Sequence, residues 1–472
     1  MKTFGLKKGM LLASVPFFLS LDAAAGPNFD QASKNARAIL GSLVAADTTN
    51  PPGNEARAVE VGVKRLKELS IPFEVTDFAP KRQNLVARLQ GSQQKKPVLI
   101  LAHLDVVGTT GQKWHSDPHQ MIESDGFLKG RGVFDDLGMA AVGIEVLALL
   151  KEQNVPLKRD LILAWTGDEE SGGAGIQYLL QNHRKSIEAE FALNEGGGLH
   201  LKNSSDKLDR VTLQNSEKTY NDFEVVARGI PGHSSVPLKK NAIYRLSEAL
   251  ARLNQYQFPL VMSPTLRRYL KLSADLEDKE MAAAMKAAAK APGNPPPDVL
   301  KVLESKPYTA ALLRTTCVAT LISGGTRENV LPSEARANIN CRILPEQSVQ
   351  EVQQILRKVL TGGKEGSGVE VSAAAPLQSS PASPLEGPLV PAVEKVLKEM
   401  GAGAVPIVPT MSLGATDGRY MRLAGIPTYG LNPIATSKDD HETVHGPDER
   451  IPIASVRRGV EFLYRLILEL NR

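Results

Sequence analysis

A chain of 472 residues is too long for one small hydrophobic core, so we expect two domains. Hydrophobic residues make up 42% and charged residues 23% of the sequence, which is ordinary for a globular protein. The formal net charge of +4 gives no support to a nucleic-acid partner.

Residues 1–25 have the pattern of a secretory signal peptide. Three lysines before residue 10 precede an apolar segment over residues 10–21, and three alanines at 23–25 form a small-residue cleavage site. The apolar segment is short for a bilayer span, so we expect no stable membrane span. A retained interfacial anchor is the alternative. We therefore expect an exported protein, either periplasmic or secreted.

The first part of the mature chain alternates helical and extended segments. Helical spacing covers 28–69 around a Thr-Thr-Asn-Pro-Pro-Gly loop, an amphipathic helix is predicted at 139–152, and strands are predicted at 73–78, 84–90, 97–107, 160–166 and 190–193. Alternating strands and helices predict an α/β fold, with a mostly parallel sheet and helices on both faces.

From about residue 221 the pattern changes to a smaller α+β domain. Strands are predicted at 222–228, 315–323, 335–344 and 369–373, and helices at 241–253 and 349–360. Residues 262–308 predict a helical insertion within this domain, and residues 376–388 a linker. We expect a catalytic domain from 26–215 and 385–472, interrupted by an inserted domain at 216–384, which we call the lid domain.

Reactive side chains follow the ends of the predicted parallel strands. Residues two apart in a strand share a side, so Asp105 is expected to accept the spare ring N–H of His103. For one His-x-Asp alone, a core histidine satisfied by a carboxylate is the simpler interpretation. Further acidic segments occur at 135–136, 168–170 and 194–195. Ligands bind beyond the carboxyl ends of parallel strands, so this convergence favours a metal site.

Two imidazoles and three carboxylates form the candidate ligand set, which consists of His103, Asp135, Glu170, Glu195 and His445. Zinc accepts nitrogen and oxygen ligands of this kind. Five ligands suit two metals that share one carboxylate. Glu169 is placed to take a proton from the attacking water. A solvated acidic turn is the alternative interpretation of Glu169 and Glu170.

Five sequence blocks resemble, in chain order, the signature blocks of a family of zinc hydrolases. The blocks are His103-x-Asp105, Gly130-Arg-Gly-x-x-Asp135-Asp136-x-Gly138, Asp168-Glu169-Glu170-x-Gly172, Asn194-Glu195-Gly196 and His445-x-x-Asp-Glu449. The family includes glutamate carboxypeptidase, carboxypeptidase S, aminoacylase and acetylornithine deacetylase. The resemblance covers essentially the whole mature chain.

The resemblance implies a site with two zinc ions. His103 and Glu195 would bind one ion, Glu170 and His445 the other, and Asp135 would bridge them. It also implies that Asp105 orients His103 and that the Asp135–Asp136 peptide bond is cis. Leu137 departs from the family, many of whose members have Lys there, but this position is not a ligand.

The lid domain carries two further blocks of the same family. Gly229-x-x-Gly-His233-Ser234 resembles the block whose histidine stabilises the oxyanion, in many members from the partner of a homodimer formed through the lid. Gly324-Gly325-x-x-x-Asn329-Val-Leu-Pro332 resembles a substrate-contacting block. An ordinary surface histidine is the alternative for His233.

Two arginines are candidates to bind a free substrate carboxylate, a task that suits the planar guanidinium group. They are Arg342 and Arg419, and a structural salt bridge is the alternative for each. The sequence therefore predicts a hydrolase that cleaves an amide bond next to a free carboxylate in a small peptide. An N-acyl-amino-acid hydrolase is the nearest alternative. A zinc-binding protein without catalysis is disfavoured, because a pure binder needs no base at Glu169.

The only two cysteines, Cys317 and Cys341, fall on strands that are predicted to pair. An exported protein permits a disulfide between them, but the sequence leaves the strand register open, and we expect free thiols. His200 occurs in a polar loop context, and His441 is assigned to the loop that carries His445.

Overall fold

The computed structural model describes residue 1 and residues 26–203, 205–374 and 379–472. The predicted signal peptide and part of the predicted linker therefore lie outside the described residues. Within these ranges, no helix combines the length and the hydropathy that crossing a bilayer would require.

An eight-stranded sheet organises the larger part of the chain. Its strands, in spatial order, are Ile407–Ser412, Leu208–Glu217, Thr428–Thr436, Phe191–Leu201, Val98–His103, Leu161–Thr166, Arg82–Leu89 and Phe73–Ala79. The four strands from Thr428–Thr436 to Leu161–Thr166 run parallel. Val98–His103 is buried along its whole length, as expected for a strand covered on both faces. The α/β class and the mostly parallel sheet are confirmed.

Helices cover both faces of this sheet, as predicted. One face packs against Phe29–Ala45, Glu55–Glu68, Leu137–Glu152, Leu389–Glu399 and Ile453–Leu470, and the other against Ala174–Asn182, Arg184–Ile187 and Gly418–Leu423. The helix Leu137–Glu152 is buried nearly all round rather than amphipathic. The reason is its position, because two other helices and the sheet pack around it.

A second, antiparallel sheet forms the centre of the lid domain. Its strands, in spatial order, are Thr316–Gly324, Glu334–Ile343, Thr219–Arg228 and Val369–Ala373. The helices Ala242–Gln255 and Val349–Thr361 pack on one face of it. Glu217 ends a strand of the large sheet and Thr219 begins this one, so only Lys218 separates the two sheets.

The helical insertion forms as predicted, but it packs against the edge of the large sheet. Its helices are Pro264–Ser273, Lys279–Lys290, Pro297–Glu304 and Pro307–Leu313, with a short 3-10 helix at Ala274–Leu276. Their apolar side chains share a core with Leu344 and with Met411 of the edge strand of the large sheet. The insertion therefore packs against the catalytic sheet, and the lid strand Thr316–Gly324 stays exposed.

Cys317 and Cys341 lie opposite each other on paired strands and form a disulfide. The expectation of free thiols was wrong, because a strand register that the sequence leaves open places the two side chains together. The remaining short elements are the strands Thr49–Asn50, Val106–Val107, Ile122–Ser124, Phe127–Lys129, Gly232–His233, Val330–Leu331 and Arg450–Pro452 and the helix Lys438–His441.

Candidate metal centre

The predicted ligands meet at the carboxyl edge of the large sheet. His103 is the last residue of its strand, and Asp135 comes from the loop before the helix Leu137–Glu152. His103 Nε2 lies 2.9 Å from Asp135 Oδ1, and His445 Nε2 lies 2.9 Å from Asp135 Oδ2. Two imidazoles therefore face the two oxygens of one carboxylate, which is the geometry required of a bridging ligand.

The other carboxylates complete two groups of donors. The ligand atoms of His103, Asp135 and Glu170 lie within 4.8 Å of one another, and so do those of His103, Glu169 and Glu195. His445 Nε2 is 3.2 Å from Glu170 Oε1, a buried oxygen that accepts no hydrogen bond from the described residues. A nitrogen and oxygen set with an unpaired buried oxygen fits divalent cations such as zinc. We call the five predicted ligands the metal cluster.

The charges of the metal cluster are crowded and buried. Burial, followed by the charge of Asp135, raises the pKa of Glu195 well above its ordinary value. The adjacent carboxylates of Asp135 and then of Glu170 raise the pKa of His445 to about 10. Several carboxylates in one desolvated site repel one another. Bound cations would relieve this repulsion, so the electrostatics of the site also fit a pair of metal ions.

Asp105 acts differently from its predicted role. His103 Nδ1 donates to the main-chain carbonyl of Asp105 at 2.9 Å, while Asp105 Oδ1 is 3.8 Å away. The Asp105 carboxylate instead accepts the main-chain N–H groups of Glu169 at 3.0 Å and Glu170 at 3.1 Å. It also accepts a hydrogen bond from Asn50. Asp105 thus orients the imidazole through its carbonyl and positions the neighbouring acidic segment through its side chain.

That segment, residues 167–173, is the acidic loop, and a half-buried arginine supports it. Arg82 donates to Asp168 at 2.7 Å and also to Glu55. Asp168 in turn accepts the main-chain N–H of Ala174 at the start of the next helix. Glu169 lies in the group with Glu195, and Glu170 in the group with Asp135. Adjacent side chains therefore belong to different groups of donors.

Glu449 fixes the loop that carries Asp135. Its buried carboxylate accepts the main-chain N–H groups of Gly132, Phe134 and Asp135 and forms an ion pair with Arg131 at 2.7 Å. The Asp135–Asp136 peptide bond is cis, as the family resemblance implied. Sequence analysis placed Glu449 in a family block without a role. The signal for such a role was an acidic residue four positions after a predicted ligand histidine.

Arg342 and Arg419 line a cleft of about 290 Å³ together with Glu169 and Glu170, and we call this cleft the arginine pocket. The guanidinium of Arg342 stacks on Tyr220 at 4.7 Å. Burial, with a smaller contribution from Arg419, lowers the pKa of Arg342. Neither arginine forms an ion pair with any carboxylate of the described ranges. A structural salt bridge therefore does not explain them, and Tyr220 is a pocket residue that sequence analysis missed.

His233 and Asn329 are neighbours in the lid domain, away from the metal cluster. Ser234 donates its main-chain N–H to the carbonyl of Asn329 at 3.0 Å, and His233 is exposed and bonds Ser235 at 2.7 Å. Neither residue lines the arginine pocket. Within the described part of this single chain, the structure does not bring them to the predicted ligands.

A family model described as Peptidase family M20/M25/M40 matches residues 99–469. This match covers most of the chain, and the protein belongs to this family of metal-dependent hydrolases.

Two relatives illustrate the sequence similarity. The human N-fatty-acyl-amino acid synthase/hydrolase PM20D1 is 30% identical over 390 residues, which are 80% of this chain and 75% of that protein. The protein named Probable carboxypeptidase S-like 2 from Dictyostelium discoideum is 27% identical over 379 residues, or 79% of this chain and 71% of that protein.

Solved structures share the fold. An M20 family metallo-carboxypeptidase from Sulfolobus solfataricus superposes with a TM-score of 0.69 at 19% identity, covering 92% of this chain and 98% of that one. A dinuclear metal binding peptidase of the same family from Bacillus subtilis gives a TM-score of 0.60 at 14% identity, covering 93% and 99%.

Proposed function

We propose that the protein is an exported dizinc hydrolase that cleaves the amide bond next to a free carboxylate in a small peptide, in the manner of a carboxypeptidase or dipeptidase. The arginine pocket carries this proposal. Two arginines that have no carboxylate partner among the described residues line the same cleft as Glu169 and Glu170, so a substrate carboxylate bound there has its amide bond close to the metal cluster.

Each chain residue has a separate task in this reaction. Bound metal ions would polarise the scissile carbonyl and lower the pKa of water. Glu169 takes the proton from the attacking water and returns it to the leaving amine. Arg342 and Arg419 orient the substrate through its carboxylate. His233 is proposed to stabilise the oxyanion, a contribution of about 3–4 kcal/mol, when the lid domain of this chain or of a partner closes on the site.

A substrate pair that differs only in charge tests the arginine pocket. We expect the zinc-loaded protein to hydrolyse a dipeptide far better than its C-terminal amide. Loss of a charged hydrogen-bond partner costs about 1.5–3 kcal/mol, so Arg342→Met should lower kcat/KM for the dipeptide by about 10–100-fold. The amide should be unaffected, and Arg184→Met, at an exposed arginine paired with Glu188, is the matched control. Equal hydrolysis of acid and amide by the wild type would contradict the proposal.

An N-acyl-amino-acid hydrolase is the second candidate function. The name of the human relative supports it, and N-acyl amino acids present the same amide and carboxylate to the arginine pocket. A screen of dipeptides, N-acetylated amino acids and long-chain N-acyl amino acids separates the two functions. Removal of the metals by chelation and readdition of zinc, manganese or cobalt tests which ion restores turnover.

Export and dimerisation complete the proposal. The signal-peptide pattern of residues 1–25 supports export, and N-terminal sequencing of the secreted protein should find a start near Gly26. The lid strand Thr316–Gly324 is an edge strand, and Val318, Leu321 and Ile322 on it are 58%, 70% and 66% exposed. Exposed apolar edge strands pair readily with other chains, which supports a homodimer through the lid domain.

A further inference from the structure

A cavity of about 510 Å³ lies between the helical insertion and the edge strand Ile407–Ser412, and we call it the insertion cavity. Tyr269, Ser273, Leu276, Glu277 and Tyr308 of the insertion line one side of it. Arg210, Gln214 and Met411 of the large sheet line the other side. Its walls therefore depend on the insertion, whose packing against the catalytic sheet was not expected from the sequence.

The insertion cavity adjoins a smaller cavity that is lined by two members of the metal cluster. Gly196, His200 and His441 line both this cavity and a smaller one, and Asp135 and Glu195 line the smaller one. The arginine pocket meets the cluster at Glu169 and Glu170 instead. Two cavities therefore lie beside the metal cluster. One is the arginine pocket, and the other is the insertion cavity with its smaller neighbour.

The wall of the insertion cavity is mixed, and its polar part includes Arg210, Glu277 and the hydroxyl of Tyr308. Arg210 pairs only with its neighbour Asp209, at 3.1 Å, among the described residues. Tyr308 is 49% exposed, and its hydroxyl makes no hydrogen bond to the described residues. Burial, followed by the nearby Arg210, lowers the pKa of His200 to about 3, so this imidazole is neutral and bonds Thr212 at 2.7 Å. His200 lies in a strand rather than in the predicted loop.

We infer that the insertion cavity receives the acyl side of the substrate and selects polar acyl groups, such as the N-terminal residue of a dipeptide, over unbranched fatty acyl chains. This inference rests on the proposed function, which places the carboxylate side in the arginine pocket. With the carboxylate there and the amide at the metal cluster, the acyl side has the insertion cavity as its other approach.

The selection has a physical cause. An alkyl chain in the cavity would strip water from the guanidinium of Arg210 and the hydroxyl of Tyr308 without replacing their hydrogen bonds. Burying polar groups in this way costs several kcal/mol. A polar acyl group supplies partners for the same groups, and sites built for hydrogen bonding reject analogues that lack the bond. The insertion thus acts as a specificity element for the acyl side.

A matched pair of substrates tests the inference. We expect zinc-loaded wild type to hydrolyse seryl-phenylalanine with a kcat/KM at least tenfold above that of N-dodecanoyl-phenylalanine, which shares the amide and the carboxylate. Arg210→Met should reduce this ratio at least tenfold, and Tyr308→Phe, which removes only a hydroxyl, should reduce it less. Arg268→Met is the control. Arg268 is on the insertion, as Tyr308 is, but it lines a different cavity, so the ratio for this variant should match that of the wild type.

The outcomes separate the inference from the proposed function. A wild type that prefers the dodecanoyl substrate, or an Arg210→Met change that affects both substrates equally, overturns the inference and leaves the proposed function standing. Hydrolysis of neither substrate contradicts the proposed function. In that case, calorimetric binding of both compounds to zinc-loaded Glu169→Gln protein decides the inference. The dipeptide must bind more tightly than the dodecanoyl compound to this protein, and adding Arg210→Met must remove the difference.

Discussion

At the scale of single residues, Glu169 and Glu170 show how adjacent carboxylates acquire different tasks. The Asp105 carboxylate accepts both of their main-chain N–H groups and so fixes the backbone from which the two side chains diverge. Burial raises the pKa of Glu169 well above its ordinary value. We propose that this carboxylate transfers the proton while Glu170 binds metal.

Glu169→Gln should therefore keep the metals and lose turnover. Removing a general base costs about 10²–10⁴-fold in rate, whereas the predicted ligands are unchanged. Plasma emission spectrometry of the purified protein measures metal content, and kcat is measured with the best dipeptide substrate. Glu188→Gln, at an exposed glutamate paired with Arg184, is the control. Near-normal turnover at full metal occupancy would rule out this role.

Lys218 should make stability depend on pH. Burial, with Arg342 nearby, lowers its pKa to about 7, and its Nζ donates to the Arg314 carbonyl at 2.7 Å. Between that value and about 10.4, the ordinary lysine pKa, the unfolded chain binds the proton that the folded chain lacks. Below the pKa of the folded chain, Lys218 therefore lowers the free energy of unfolding by its full amount. This effect fades as pH rises toward the pKa of the unfolded chain, so stability increases with pH across this window.

Thermal unfolding at pH 7.5 and pH 9.5 checks this linkage. The Lys218→Met protein should gain in Tm over the wild type at pH 7.5. This gain should shrink at pH 9.5, because the free-energy cost of releasing the Lys218 proton on folding falls as the pH approaches the pKa of the unfolded chain. The exposed Lys364 supplies the control variant Lys364→Met. A gain that is the same at both pH values would show that Lys218 does not titrate in the window.

At the scale of secondary-structure elements, loops anchored by buried acids build the site. The Asp135 loop is bonded to Glu449, and the acidic loop to Arg82 and Asp105. Loops carry functional groups well when a rigid scaffold positions them. Here the scaffold is a set of parallel strands whose carboxyl ends share one edge.

The disulfide is the covalent element of the lid sheet. It closes a segment of sequence separation 24, so the chain-entropy model assigns it about 3 kcal/mol. We expect reduction, or the double variant Cys317→Ala with Cys341→Ala, to lower the Tm of the lid domain. Alkylation of the native protein followed by mass spectrometry should find no free thiol. Two labelled cysteines without reductant would contradict the bond.

At the scale of the whole molecule, the position of the insertion determines which surfaces are free. The insertion packs on the catalytic sheet, so the lid edge strand Thr316–Gly324 remains exposed. His233 is also exposed and lies apart from the metal cluster. Both observations fit a lid domain that acts on the site of a second copy.

Mixing two inactive proteins tests this shared site. Glu169→Gln and His233→Ala should each be inactive alone, while their mixture should regain activity, because a mixed dimer contains one site with both groups intact. Adding Leu321→Lys to both proteins should disrupt the edge pairing and abolish the recovery. A mixture that stays inactive despite measured subunit exchange would exclude the shared site.

Local sequence pattern predicted most of the strands, the reactive residues at their ends and the change to a smaller α+β region after about residue 221. Buried strands appear as apolar runs, and polar groups that interrupt them stand out, as His103 does. The family blocks then grouped five distant segments into one ligand set. These features depend on residues close in sequence or on fixed motifs, which is why they could be predicted before the structure was known.

Tertiary packing alone decided the rest. An apolar helix face predicts that the insertion is buried, but it does not identify the surface that covers it. The packing of the insertion on Met411 could therefore not be predicted from the sequence. Strand register decided the disulfide, since a shift of one residue would turn Cys341 to the other face. Arg342 lies on the lid strand Glu334–Ile343 and Arg419 on the helix Gly418–Leu423, and only the folded chain brings their charges beside Glu169.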